Sequence, residues 1–305
     1  AGQVAEPGPL CEEALLLAEY TQDGTLQWLP GRRGVSRDRA GAVQAAERIP
    51  ENPVAAYAPP GATPQELYTV ITTGLRDYVR KNGFTDVVFG LSGGIDSSLV
   101  LALAVDALGA ERVHTVMMPS RHTSGLSIEL AQDQAVNLGV DHRVISIVPA
   151  FEALLTLLNP SFEGLDADVT EENLQARVRG NIVMALSNKF GWLPIVTSNK
   201  SELAVGYCTI YGDMCGGFGP LLDCSKMRVY ELSRYRNTIS PAIPENVITR
   251  PPSAELKADQ LDTDSLPPYD VLDPILKAFV EEVGDQLDLF IQGSLHSDNA
   301  EGRDD

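Results

Sequence analysis

The chain has 305 residues, long enough for one full hydrophobic core with appendages, and carries 42 acidic against 23 basic side chains for a net charge of −19. That balance excludes wholesale binding to the phosphate backbone of nucleic acid. The excess is uneven, with 14 acids and 3 bases in residues 251–305 against 20 and 15 in residues 61–250, so residues 291–305 read as an acidic, disordered tail. Residues 1–60 read as a linker rich in Arg, Ala, Pro and Gly, behind two apolar pieces, "ALLLAEY" and "LQWL", with the look of a hairpin. An apolar stripe of Leu67, Val70, Ile71, Leu75 and Val79 predicts a helix over 64–81. Beyond it strands are expected at 87–91, 113–118, 142–148 and 193–197. Helices are expected between them at 97–108, 127–138 and about 170–190, the last with Thr170 as N-cap, Glu171 and Glu172 in its first turn and Gly191 beyond its end. Strands alternating with helices imply an α/β fold, a doubly wound, Rossmann-like parallel sheet over residues 61–290. Ligands bind such sheets beyond the carboxyl ends of the strands, where the strand order reverses.

One such end carries "LSGGIDSS", residues 91–98. Ser92, Gly93 and Gly94 can bring backbone N–H groups up to a phosphate, and Ser97 and Ser98 add hydroxyls at a helix start. A Walker loop needs a lysine here and a dinucleotide fingerprint needs G-x-G-x-x-G; both are absent. Asp96 would repel phosphate unless a divalent cation lies between, so it reads as a Mg²⁺ ligand on a pyrophosphate, or else as the N-cap of a tight turn. Glu202, in "SNKSE" just past the strand at 193–197, stands at the equivalent place. If the two strands are neighbours, both carboxylates converge on one Mg²⁺; alone, Glu202 is a first-turn helix acid. Asn173 and Arg177 share a helix face that Gly180 follows, where a small residue would let a ligand lie close, although Arg177 and Arg179 also read as surface charges. Leu174, Val178 and Ile182 recur at four-residue spacing and would face the sheet. Five glycines between Gly206 and Gly219 suggest a lid or a plain connection.

Cys11, Cys208, Cys215 and Cys224 form no C-x-x-C pair, and His114, His122, His142 and His296 are scattered, so neither zinc nor a disulfide framework is expected. No apolar stretch is long enough to span a membrane and no secretory leader is visible, which reads as a cytoplasmic, reduced protein.

The Ser-Gly-Gly-x-Asp-Ser loop resembles that of the N-type ATP pyrophosphatases. The stretches "NLQARVRGNIVMALSNKFGWLPIVTSNKSELAVGY", "YGDMCGGFGPLLD", "ITRPPSAEL" and "DSLPPYDVLD" are similar to the synthetase domain of NAD synthetases, the last two to the glutamine-dependent type. The resemblance covers roughly residues 53–280 and implies the adenine nucleotide alpha-hydrolase-like fold. It implies ATP-dependent amidation of nicotinic acid adenine dinucleotide to NAD⁺ through an adenylate, with release of AMP and pyrophosphate. By that motif match Gly90, Leu91, Ser92, Gly93, Gly94, Ile95, Asp96, Ser97, Thr197, Lys226 and Ser253 would meet ATP. Asn173, Arg177, Glu202 and Asp213 would meet the dinucleotide, with Asp96, Glu202 and Lys226 catalytic and Asp96 and Glu202 on Mg²⁺. Such domains pair as homodimers. The opening segment resembles the end of a nitrilase-like glutaminase domain, so the chain is expected to be the synthetase portion of a longer enzyme, using free ammonia when alone. Two other readings are an adenylating ligase of the GMP synthetase kind and a sensor that binds ATP without turning it over; paired metal carboxylates argue against the sensor.

Overall fold

The computed structural model describes residues 63–282 and four short strands nearer the N-terminus. The chain divides into two compact units, Ala1–Thr73 and Gly74–Asp305. In the first, β1 (Ala18–Tyr20) pairs antiparallel with β2 (Leu26–Trp28), and β3 (Val35–Arg37) with β4 (Val43–Ala45). The first pair falls on the two apolar pieces, and the second within the stretch read as a linker. The other residues up to 62, and the acidic end from 283 onward, lie outside the described residues. Helix α1 (Pro64–Lys81) has the bounds that its stripe predicts. Thr63 and Glu66 cap it reciprocally: Glu66 N–H donates to Thr63 Oγ1 at 3.2 Å and Thr63 N–H to Glu66 Oε2 at 2.8 Å.

The second unit is built on a parallel sheet. Its strands are β5 (Val87–Gly90), β6 (Val113–Met117), β7 (Asp141–Val144) and β8 (Leu193–Pro194), in the spatial order β7–β6–β5–β8. The chain steps outward from β5 to β7 and then returns to the other side of β5, so the strand order reverses between β5 and β8. The connections include α2 (Ile95–Leu108), α3 (Gly125–Leu138), α4 (Val148–Leu158) and α5 (Val169–Phe190). After β8 come α6 (Lys200–Ala204), α7 (Lys226–Ile239), α8 (Glu245–Thr249) and α9 (Tyr269–Lys277). Val88, Val116, Met118, Ile147, Val178 and Val183 form a core cluster between sheet and α5, and Ile182 packs on it; Val178 and Ile182 of the stripe on α5 thus face the sheet, while Leu174 is not part of this cluster.

Several boundaries differ from expectation for local reasons. The third sheet strand stops at Val144 and does not run to 148, because Pro149 sits in the first turn of a helix, α4, that the β-branched run hid. β8 shrinks to two residues: Pro194 has no N–H to donate, and beyond it Ile195 bridges to Phe218. The N-cap of α5 is Asp168, which closes a capping box with Glu171; Thr170 lies inside the helix.

Candidate active site

The turn after β5 is shaped by sterics. Leu91 N–H donates to Val116 O at 3.0 Å and ends the strand pairing. Gly93 has φ +76°, and a Cβ there would lie 2.3 Å from the backbone oxygen of Ser127, so only glycine fits. Hydroxyls close the turn: Ser92 N–H donates to Ser97 Oγ at 3.2 Å, and Ser97 Oγ donates to Gly94 O at 3.1 Å. Gly94 caps α2 without a side chain, so the N–H groups of the first turn have no side-chain cap, and Gly94, Ile95, Asp96 and Ser97 line the cavity beyond the sheet. Ser98 is different: it is fully buried, its hydroxyl has no partner, and it is not among the residues lining the cavity.

Across the reversal point three charged side chains meet. Lys226 Nζ, at the start of α7, lies 2.6 Å from Asp96 Oδ2 and 2.9 Å from Glu202 Oε1. Its side chain is 2 % exposed. Asn199, fully buried, caps α6 in a box with Glu202 and donates to Asp96 Oδ1 at 2.8 Å. Burial works against the ammonium of Lys226, but the charges of Asp96 and Glu202 outweigh it and hold its pKa well above the ordinary value. Glu202 moves the other way for a carboxylate: burial first, then the charge of Asp96, push it up to about 7 against the pull of Lys226. One ammonium neutralises one carboxylate, and the nearer partner is Asp96. Above the pKa of Glu202, about 7, the two carboxylates together therefore carry one negative charge beyond the one Lys226 neutralises, held on hard oxygen donors. Among the described residues no group of three or more metal-capable side chains occurs. Mg²⁺ is commonly held by one or two carboxylates with substrate phosphates completing its shell, and this pair fits that chemistry.

Asp96, Glu202 and Lys226 line a cavity of about 280 Å³. Of the residues that the motifs single out, Gly90, Leu91, Ser92, Gly94, Ile95, Asp96, Ser97, Thr197, Glu202, Asp213, Lys226 and Ser253 line it. Asp213 accepts from Thr209 N–H at 2.9 and 3.1 Å, and burial raises its carboxyl above the usual range. Gly93, Asn173 and Arg177 are not part of the lining. Asn173 Oδ1 accepts from Thr209 Oγ1 at 2.8 Å, and exposed Arg177 donates through Nε to Ile210 O at 3.3 Å, so both brace the glycine-rich segment from α5. Gly180 also lines the cavity, and it packs against that segment: a Cβ on Gly180 would lie 2.9 Å from the oxygens of Tyr211 and Gly212. A Cβ on Gly216 would lie 2.5 Å from Val196, so these glycines serve close packing.

Arg179, Arg250 and Glu255 are among the lining residues that the sequence reasoning does not single out as site residues. Half-buried Arg179 donates through Nε to Met118 O at 3.0 Å; burial lowers its pKa to about 10, against the charges of Glu255 and Asp213. Its signal is helical spacing, since it shares a face with lining residues Ala176 and Val183 while Arg177 points elsewhere. Arg250 donates to Gly93 O at 2.8 Å and Ser127 Oγ at 2.9 Å. Glu255 accepts from the hydroxyls of Ser124 at 2.8 Å and Ser127 at 2.6 Å, which ties residues 250–255 across the glycine turn. No local pattern announces these long-range contacts.

A doubly wound parallel sheet, a glycine turn at its reversal point and two carboxylates converging there define an α/β protein of the adenine nucleotide alpha-hydrolase-like fold. The family model described as NAD synthase matches residues 67–301, and the chain belongs to that family. It is 56% identical over 229 residues to a glutamine-dependent NAD(+) synthetase of Xylella fastidiosa, covering 74% of this chain and 42% of that protein. A solved glutamine-dependent NAD⁺ synthetase from Acinetobacter baumannii, in complex with adenosine diphosphate, is 45% identical with a TM-score of 0.62, covering 88% of this chain and 51% of that one. An NMN synthetase from Francisella tularensis is 30% identical with a TM-score of 0.65, covering 71% and 87%. The chain thus spans about half the length of the curated relatives it matches. Among the described residues no helix is long and apolar enough to cross a membrane.

Proposed function

We propose that this chain carries out the ATP-dependent amidation of nicotinic acid adenine dinucleotide to NAD⁺, with ammonia as the nitrogen source. The observation that carries the proposal is the convergence of Asp96, Glu202 and Lys226 beside the Ser92–Ser97 turn, inside one cavity at the reversal point. Membership of the NAD synthase family supports it.

In the proposed reaction a carboxylate oxygen of the nicotinate attacks the α-phosphorus of ATP and the bond to pyrophosphate breaks. The N–H groups of the glycine turn and the ammonium of Lys226 receive the charge that builds on the departing pyrophosphate. Asp96 and Glu202 would hold Mg²⁺, which supplies further charge neutralisation there. Ammonia then attacks the carboxyl carbon of the mixed anhydride, gives up a proton and expels AMP. No side-chain nucleophile is required. The described cysteines suit that reading, because burial raises the thiols of Cys208, Cys215 and Cys224 and disfavours a reactive thiolate.

Asn173 and Arg177, outside the cavity on α5 and bracing the glycine-rich segment, are proposed to meet the far part of the dinucleotide. A pairing of two such domains would bring a second surface to them, and light scattering of the purified chain tests that pairing. The likeness to an NMN synthetase raises nicotinic acid mononucleotide as a second acceptor. The experiment is pyrophosphate release with ATP, Mg²⁺ and each acceptor in turn, using ammonium or glutamine as nitrogen source. The dinucleotide with ammonium is expected to be turned over fastest. Release that ignores every nicotinate acceptor would overturn the proposal.

A further inference from the structure

The stretch "DSLPPYDVLD", residues 264–273, has no part in the chemistry above. Two of its side chains, Tyr269 and Asp273, are each 7 % exposed on α9 and approach Lys226 from opposite ends. The ring of Tyr269 lies under the ammonium, with Nζ 5.2 Å from its centroid. The Tyr269 hydroxyl donates to Asp262 Oδ2 at 2.9 Å, which fixes the plane of that ring. Asp273 takes hold of the backbone. Its Oδ2 accepts from Met227 N–H at 2.8 Å, and its Oδ1 accepts from the hydroxyl of Ser201 at 2.5 Å. Ser201 Oγ in turn accepts from Lys226 N–H at 2.9 Å.

This chain of bonds has a specific consequence. Ser201 is fully buried, precedes Glu202 and lies in α6; Lys226 is the first residue of α7. One carboxylate therefore fastens together the starts of two helices whose side chains, Glu202 and Lys226, pair at 2.9 Å beside Asp96. A short helix such as α6, five residues long, has little stability of its own and takes its placement from tertiary bonds. A charge that must sit within hydrogen-bond distance of two carboxylates tolerates little movement of either start.

We propose that Asp273 is a positioning residue for Lys226: through Ser201 and the N–H of Met227 it sets where the ammonium stands relative to Asp96 and Glu202, while Tyr269 forms the floor beneath it. The proposal rests on the reading of Lys226 as the cation that meets the triphosphate.

The test is a double-mutant cycle with Asp273→Asn and Lys226→Met, read in two ways. One is the rate of pyrophosphate release; the other is the affinity for ATP with Mg²⁺, measured by calorimetry without any acceptor. Asp273→Asn is expected to lower the release rate about tenfold and leave the Michaelis constant for the acceptor unchanged, but to cause less than about a twofold further loss once Lys226 is gone. The same coupling is expected in ATP affinity. An equal loss in both backgrounds would overturn the proposal and make Asp273 a general stabiliser. Should Asp273→Asn not fold, Ser201→Ala removes the same link and is expected to show the same dependence on Lys226. If the unaltered chain releases no pyrophosphate with any acceptor, the functional reading fails, and the affinity cycle still decides whether Asp273 acts through Lys226.

Discussion

Replacing Asp96 by Asn should separate stability from activity. In the folded protein Asp96 accepts from Lys226 Nζ at 2.6 Å and Asn199 Nδ2 at 2.8 Å. The substitution removes one charged hydrogen bond, for which about 1.5–3 kcal/mol is typical. Two features offset part of that loss. Lys226 keeps Glu202 at 2.9 Å as a counter-ion, so no isolated charge is left buried. Glu202 is also relieved of the negative charge that helps push its pKa up to about 7. The net cost should be about 1–2 kcal/mol, which for a domain of this size lowers the melting temperature by about 2–8 °C. Adenylation should suffer far more, because Asn lacks the negative charge with which Asp96 is proposed to hold Mg²⁺ and with which it pairs Lys226. A loss of about 4 kcal/mol of transition-state stabilisation is roughly a thousandfold in rate. A thermal melt and pyrophosphate release on the same preparation check both halves. A melting temperature near the parent's, with more than about a tenth of the parent rate at saturating Mg²⁺, would refute the reasoning.

Gly93→Ala should cost about 3 kcal/mol or more, since φ +76° and a Cβ at 2.3 Å from Ser127 O leave no space, and chemical denaturation measures it. Glu202→Gln should flatten the dependence of stability on pH. The folded-state pKa of Glu202 is raised from 4.5 to about 7, so its favourable contribution is complete below 4.5 and is lost as pH rises through 7; melts from pH 4 to 8 should show a shallower fall in the variant, on the order of 2–3 kcal/mol less. Arg177→Ala should raise the Michaelis constant of the dinucleotide much more than that of ATP, and equal changes in both would count against its placement on the acceptor.

Much of this architecture is readable in advance because its causes are local. The stripe on α1, the glycines ending α3 and α5 and the β-branched run of β5 each act within a few residues. The meeting of Asp96 and Glu202 follows from one further step: both stand beyond strand ends, and a doubly wound sheet makes β5 and β8 neighbours. The failures have equally definite causes. The run at 145–148 is β-branched but turns helical at Pro149, and Asp168 outcompetes Thr170 as a cap. Arg250, Glu255 and Asp273 act through partners 46 to 157 positions away, a separation that no periodicity encodes. Arg179 lies nearer to what the sequence shows, since helical spacing alone places it apart from Arg177.

The central claim is that the acceptor's carboxylate is adenylated in the cavity beside Ser92–Ser97. It is tested most directly by labelling both carboxylate oxygens of nicotinic acid adenine dinucleotide with heavy oxygen and following them by mass spectrometry during turnover with ATP, Mg²⁺ and ammonium. If carboxylate oxygen attacks the α-phosphorus, one labelled oxygen leaves with each AMP and the other stays in the amide of NAD⁺. Label recovered in pyrophosphate, or AMP formed without label while NAD⁺ accumulates, would contradict the account.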